Sequence, residues 1–435
     1  YPGSNNLELL YPSGQFGTRL QNGKDASSPR YIFTRLSDLT STLYNETDAD
    51  NLNYLDDDGF SIEPERFVPL LPMILINGTK GIGTGWSTDI PKYNPLDILD
   101  GMKKLMNNEE LTELIPWYRN YDGSFIKTDN KTFMNLGKYE IVNNNTLKIL
   151  ELPIGVSTEE YKDFLDKIVS GNDPKIDYVE NYENSSTDTK VCFVVLCKPN
   201  SLKKLILAEE PDEFGCNKIY KEFKLVKSMS LNNLVLYNTD FKLTRYESPL
   251  DIMKEFYNYR LIYYSKRKDS LLSKYSHKKN ILENKIRFLQ EQIDDILILY
   301  KKKKDIVIKE LEDSNYMKIS SKEDSQPDYE YLLSMRMDSV TEEKLNKLKD
   351  ELNDITNKID DLESKTNTDL WTEDLGGLKD TYKDYYSKLE KNEDLSKIKI
   401  SSTLKTKATK KNISSSKGTG RGKGTGGRGR GRGKK

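Results

Sequence analysis

ILENKIRFLQEQIDDILILY (residues 281–300) and KLNKLKDELNDITNKIDDL (344–362) carry the same signal twice in one chain. In the first, Leu282, Ile286, Leu289, Ile293, Ile296 and Tyr300 recur at alternating spacings of four and three. In the second, Leu345, Leu348, Leu352, Ile355, Ile359 and Leu362 do the same. A seam of this kind lies along one side of a helix and must meet a second seam to leave water. Two of similar length, about 45 residues apart, predict an antiparallel coiled-coil hairpin. The first helix has a start signal in Ser248 as N-cap, Pro249 in the first turn and Asp251 as capping-box acid. From there to Tyr300 it would run roughly 75 Å. Between the seams, YLLSMRMDSV (331–340) is too apolar for a simple linker and predicts a small globular tip. Two copies of the chain could meet there; packing within one chain is the alternative.

At 435 residues the chain is too long for one ordinary core, and two to four structural units are expected. Its 35% hydrophobic and 31% charged content suits long solvated helices and an unfolded tail beside modest cores. No apolar run reaches the roughly 20 residues of a membrane helix. The sequence opens on Tyr1 without a signal-peptide pattern and reads as a piece of something longer. Cys192, Cys197, Cys216 and the single His277 cannot assemble a Cys/His metal site, and so sparse a cysteine set suggests a reducing compartment. The net charge of −1 hides a division. Residues 401–435 hold twelve of the 68 basic residues and no acid, leaving 56 bases against 69 acids before them, a net of −13. The tail SSSKGTGRGKGTGGRGRGRGKK (414–435) has nothing to seed a core, and its spaced cations suit phosphate contact without sequence readout. A nuclear-import patch is the other reading.

Residues 120–245 read as mixed strand and helix. KYEIVNNNTLKILEL (138–152) alternates on both sides of an Asn turn, as a hairpin does, and VCFVVLC (191–197) is a buried-strand candidate. MILINGTKGIGTGW (73–86) places glycines after a short apolar strand. It lacks the Gly-Lys-Ser/Thr ending of a phosphate loop and the GxGxxG spacing of a dinucleotide fold, so close backbone packing is the preferred reading. Asp48 and Asp50 in ETDADN (46–51) have the shape of a metal-binding pair. Near the acidic run YLDDDGF (54–60), they read instead as a solvated surface loop.

GSNNLELLYPSGQFGTRLQNGKDASSPRYIFTRL (3–36) and EPERFVPLLPMILINGTKGIGTGWSTDIP (63–91) together resemble the DNA-cleaving core of eukaryotic-type topoisomerase II, a type IIA DNA topoisomerase. The likeness weakens through the middle, returns in YLLSMRMDSVT (331–341) and TDLWTEDL (368–375), and covers roughly residues 1–388. The fold class it implies is α+β and multidomain. Residues 1–78 would be the C-terminal part of a winged-helix cleavage domain and 79–247 a tower-like domain. Residues 248–388 would form a coiled-coil arm with a dimer gate, and 389–435 a disordered basic tail.

By the same resemblance Tyr31 falls on the nucleophilic tyrosine, with Arg30 beside it, and Ile90 on an isoleucine that wedges between bases and bends the duplex. A phenol is a weak acid, so attack on a phosphodiester needs proton removal and nearby positive charge. Arg30, Arg19 and Lys24 in the same segment could hold the scissile phosphate. The phosphotyrosyl ester then stores the broken bond for resealing. ATP and magnesium are implied for the parent enzyme, bound by domains absent from this chain. Double-stranded DNA and a second copy are the implied partners, without a membrane, and the nucleus is the implied location. ELPIGVST (151–158) departs from the family, which usually carries an arginine and an aromatic after ELP. A coiled-coil nucleic-acid scaffold without catalysis is the competing reading.

Overall fold

A computed structural model describes residues 1–171, 176–208, 212–298, 302–319, 326–335 and 341–389. The chain divides into a unit of residues 1–379 and a second of 380–435. Of the second, residues 380–389 are described; they are helical, with the Tyr382 and Tyr386 rings 4.9 Å apart. The expected tail beyond them lies outside the described residues, as do Tyr300 and residues 336–340 of the expected tip.

Within the first unit, strands and helices are mixed, as expected. The hairpin read in 138–152 forms as Lys138–Asn143 against Thr146–Glu151. Phe193–Cys197 pairs with Thr146–Glu151 on its other side and Val179–Asn184 closes a four-stranded antiparallel sheet. Alternation along Thr146–Glu151 turns Leu147 and Ile149 inward, where the helix Thr158–Val169 adds Tyr161, Leu165 and Ile168 to one core. That helix is started by Ser157 and Glu160 in a reciprocal capping box. A smaller sheet of Val226–Ser230, Thr132–Leu136 and Ser124–Asp129 adjoins it in the chain.

The long helix starts where Ser248, Pro249 and Asp251 indicate and runs over Pro249–Ile293. Ser248 Oγ accepts from the Asp251 amide (3.3 Å), and Asp251 Oδ2 accepts from the Ser248 amide (3.1 Å). Ser248→Ala should therefore cost about 1 kcal/mol in local stability, read as faster amide exchange over the first turn of this helix alone. The return helix Glu342–Ser364 packs Leu345, Leu348, Ile355 and Ile359 against Leu282 and Leu289. Lys268 near the root of the long helix reaches the carbonyls of Glu363 (3.2 Å) and Lys365 (2.6 Å) at the far end of the return helix, so the pair is antiparallel.

The first seam is shorter than its spacing predicts. The helix stops at Ile293, Asp295 adopts φ +55°, and Ile296 is exposed. Two adjacent acids at the negative end of a helix oppose its extension, and an aspartate tolerates the left-handed turn. The globular tip also begins earlier than residue 331. Phe288, Leu297, Val307, Leu311, Tyr316, Tyr329 and Leu332 form its core around the helix Lys304–Asp313.

Two local readings are corrected. Met73–Asn77 is a short helix, not a strand, and the glycines after it form a hairpin of Thr79–Ile82 with Ser87–Ile90. The Asp48 loop is not simply solvated, because Asp48 is buried. Its carboxylate accepts from Arg260 Nη2 (2.7 Å), Arg267 Nε (2.6 Å) and Arg267 Nη2 (2.6 Å). Asp50 stays exposed and pairs with Lys274. Arginines seven apart lie on one face of the long helix, which is how both reach one carboxylate. Arg267 also donates to Asp374 (2.6 Å), and Trp371 is buried with its ring stacked by Tyr257 and Tyr264. The root of the arm is thus a paired ionic and aromatic joint.

Candidate active site

SSPRYIFTRL (27–36) becomes a single tight turn followed by a strand. Proline at its head presets the φ of the turn Pro29–Tyr31, which the Tyr31 amide closes by donating to Ser28 O (2.9 Å). Phe33–Leu36 then pairs antiparallel with Leu10–Ser13. Both anchors are backbone hydrogen bonds, so the turn is fixed while its side chains stay outside. Tyr31 is 68% exposed, and its hydroxyl has no hydrogen-bond partner among the described residues. The Arg30 guanidinium lies 5.0 Å from the Tyr31 ring centre and is itself exposed. The structure sets an exposed phenol, with no hydrogen-bond partner among the described residues, beside an exposed guanidinium.

Arg19 is placed elsewhere. It is 0% exposed and donates to Asn22 Oδ1 (2.7 Å), Val156 O (2.5 Å), Leu152 O (3.1 Å) and Glu151 Oε1 (3.3 Å). A guanidinium spent on four acceptors inside the protein cannot also hold a phosphate. Its work is to pin the 17–25 loop onto the four-stranded sheet. Burial lifts the Glu151 carboxyl above its ordinary value, while Arg19 pulls it back down. ELPIGVST therefore meets this loop through the carbonyls of Leu152 and Val156, which any side chains there would supply, and also through the Glu151 carboxylate and the Thr158 hydroxyl. The loop is drawn tight where a Cβ on Gly17 would lie 2.6 Å from Gly23 Cα, at φ +100°. Asp25 accepts from the Thr18 hydroxyl (2.5 Å), which holds its carboxyl below the usual range. Lys24 remains at the surface, its ammonium 3.8 Å from Glu160, a loose pair that leaves it available to an anion.

Ile90 is also displaced from its expected role. It is 3% exposed at the root of the glycine hairpin, opposite Thr79. Gly78, at φ +63°, lets the chain cross so close that a Cβ would meet Ile90 O at 2.6 Å. A side chain packed into the root has no surface to offer a base step. Of the two isoleucines, the one the hairpin does present is Ile82, 90% exposed beside the turn. The sequence held a signal for it: TKGIGTGWSTDI has two short strand segments around Gly83 and Gly85, which puts Ile82 next to the turn.

Residues 2–376 match the DNA gyrase/topoisomerase IV family in its A-subunit form. The protein "DNA topoisomerase 2" of Plasmodium falciparum (isolate K1 / Thailand) is 36% identical over 404 residues, covering 86% of this chain and 28% of the relative. "DNA topoisomerase 2, mitochondrial" of Dictyostelium discoideum is 36% identical, covering 93% of this chain and 30% of the relative. The crystal structure of the Plasmodium falciparum topoisomerase II DNA-binding, cleavage and re-ligation domain superposes with a TM-score of 0.78 at 34% identity. That match covers 90% of this chain and 55% of the solved one. The chain thus spans less than a third of the length of these two curated relatives. A match over nearly all of residues 1–376, in sequence and in fold, makes this chain a member of the DNA gyrase/topoisomerase IV A-subunit family.

Proposed function

We propose that this chain is the tyrosine-bearing part of a type II DNA topoisomerase, which cuts both strands of one duplex, passes another and reseals the first. The observation that carries the proposal is the exposed, unbonded Tyr31 hydroxyl beside Arg30 in the segment most like the family. In cleavage the Tyr31 oxygen bonds to the scissile phosphorus and the phosphorus–oxygen bond to the leaving strand breaks. The phenolic proton leaves, and the departing sugar oxygen is protonated. Resealing runs the same exchange backwards, with no external energy for the bond itself. Arg30 offsets charge on the phosphate oxygens and Lys24 contributes a backbone contact.

Residues 1–78 are assigned to the winged-helix cleavage region, 79–247 to the tower-like domain, 248–388 to the arm and dimer gate, and 389–435 to the basic tail. The partners are double-stranded DNA and a second copy meeting through the tip. The nucleus is the proposed location, although the Dictyostelium relative is named mitochondrial. Among the described residues no helix is long and apolar enough to cross a membrane.

ATP and magnesium belong to the proposed parent enzyme. Among the described residues no group of three or more His, Cys, Asp or Glu side chains is disposed to hold a metal ion, and Asp48 is engaged by two arginines. These residues do not fit a magnesium site. Both groups are assigned to other parts of a longer protein, and no step here runs through them.

The base-wedging role passes from Ile90 to Ile82, because insertion needs a side chain outside the protein. Unstacking a step costs a few kcal/mol, which contacts along the bent duplex offset. Ile82→Ala should abolish most of the bend measured by fluorescence transfer while changing overall affinity little, since phosphate contacts dominate binding. Ile90→Ala should leave the bend and lower stability instead. The direct test of the proposal is a tyrosyl–DNA adduct trapped by denaturing the full-length protein on DNA; a peptide map that places the adduct anywhere but Tyr31 would refute it.

A further inference from the structure

The turn between the strands Val235–Tyr237 and Leu243–Arg245 holds a phenylalanine in a backbone conformation that suits glycine. Phe241 sits at φ +59°, where a bulky side chain is strained. The turn itself is well made: Asn238 Oδ1 accepts from the amides of Asp240 (3.0 Å) and Lys242 (2.8 Å). The Thr239 amide donates to Glu255 Oε1 (2.9 Å), which ties the turn to the long helix. Glycine at 241 would make the same backbone bonds without strain, so the ring is what this position supplies.

The ring carries Arg66. The guanidinium carbon lies 3.4 Å from the centre of the Phe241 ring, the distance of a face-on stack, and 5.5 Å from that of Tyr259. A stacked guanidinium keeps its five N–H donors in its own plane, free of the ring. Among the described residues none of them meets a protein acceptor. Arg19 and Arg267, by contrast, each donate to several. Half-buried, Arg66 lines a pocket of about 160 Å³ with Phe241, Tyr259 and Tyr263, where a single water needs only roughly 10–15 Å³. The Tyr259 and Tyr263 hydroxyls are 3.1 Å apart and bond each other, which uses one of their two protons and leaves the other to donate. Burial pushes the Tyr263 phenol up to about 12, so it keeps its proton at neutral pH.

We propose that this pocket is a phosphate-binding site, in which Arg66 grips one phosphodiester of bound duplex DNA and a tyrosine hydroxyl is a second donor. The inference rests on the duplex binding proposed above but not on the chemistry of Tyr31. A planar fork matches two phosphate oxygens, and stacking fixes that fork before the ligand arrives, so little freedom is lost on binding. Glu65 also lines the pocket. An acid there opposes a dianion more than a monoanion, which favours a backbone diester over free phosphate. The strands of this turn lead back to the wedge hairpin, where the Asp89 amide donates to Asn233 O (2.9 Å) and Asn233 Nδ2 to Ser87 Oγ (2.8 Å). Asn233 and Asn238 are five residues apart. That is a strand length of roughly 17 Å, or about five nucleotide steps along a duplex.

The test measures duplex binding by the full-length protein across salt concentrations. Arg66→Gln should lower affinity about fivefold at low salt. It should also make the slope of log affinity against log salt shallower by about 0.9, the share of one phosphate. Arg66→Lys should keep the slope and lose part of the affinity, because the charge stays and the fork goes. Across duplexes that each carry one neutral methylphosphonate, the unaltered protein should lose affinity at a position where Arg66→Gln loses none. Phe241→Gly should weaken binding as Arg66→Gln does with thermal stability essentially unchanged, since the strain relieved offsets the ring lost. A clear fall in stability with binding unchanged would make the pair packing alone and overturn the proposal, as would an unchanged slope in Arg66→Gln. Inorganic phosphate that protects the unaltered protein against heat but not Arg66→Gln, with identical methylphosphonate scans, would overturn the duplex assignment in favour of the free ion. Failure of the unaltered protein to bind duplex at all would overturn the proposed function and this site with it.

Discussion

Tyr31→Phe in the full-length protein is expected, on the proposed function, to reduce DNA cleavage and relaxation to background. In the proposed reaction no neighbouring group can replace the missing oxygen, because the ester that would store the broken bond is made from it. The same change should be nearly silent for folding and binding. The hydroxyl makes no hydrogen bond among the described residues, and the ring stays where the Pro29–Tyr31 turn and the Arg30 contact put it. Stability and DNA affinity should move by less than about 0.5 kcal/mol, as for other surface changes away from special features. The measurement is parallel: adduct formation, supercoil relaxation and a binding isotherm on one preparation. Relaxation above a trace would remove Tyr31 from the chemistry. A large fall in affinity would mean the residue holds DNA instead of cutting it.

The second large effect concerns the joint at the root of the arm. Asp48→Ala should destabilise it by about 3–5 kcal/mol, because the change leaves Arg260 and Arg267 buried beside an empty site. Arg267 retains Asp374, but among the described residues Arg260 keeps only the Val68 carbonyl (3.2 Å) and its place over the Tyr264 ring. Asp50→Ala, which removes an exposed pair with Lys274, should cost only about 0–1 kcal/mol. Amide exchange over the root of the long helix distinguishes the two: protection should collapse locally in the first variant and persist in the second. If Asp48→Ala left that protection intact and instead abolished binding of a divalent cation, the aspartate pair would be a metal site after all.

What could be read from sequence was what is local. The seam residues Leu282 to Ile293 and Leu345 to Leu362 announce themselves because helical periodicity is a property of neighbours in the chain. The Ser248–Asp251 box and the 138–152 hairpin are equally short-range, and all three stand in the structure. Met73–Asn77 misled because a run of four apolar residues is too short for periodicity to separate helix from strand. The pairing of Arg30 with Tyr31 is adjacent in sequence, but only likeness to a family could single out one tyrosine among 27.

The rest depended on partners far along the chain. Asp48 looks solvated among its polar neighbours; Arg260 and Arg267, 212 and 219 residues away, bury it. Arg19 looks like a phosphate ligand until Leu152 and Val156, more than 130 residues on, take its donors. Ile82 and Ile90 are alike in type and eight apart. Which of them faces water was decided by the register that sets Ile90 against Thr79 and by the packing that closes over the hairpin root. Residue type fixes what a side chain is able to do. Tertiary structure decides whether its surface and charge are left free to do it, because burial and hydrogen bonding saturate a group regardless of its chemistry.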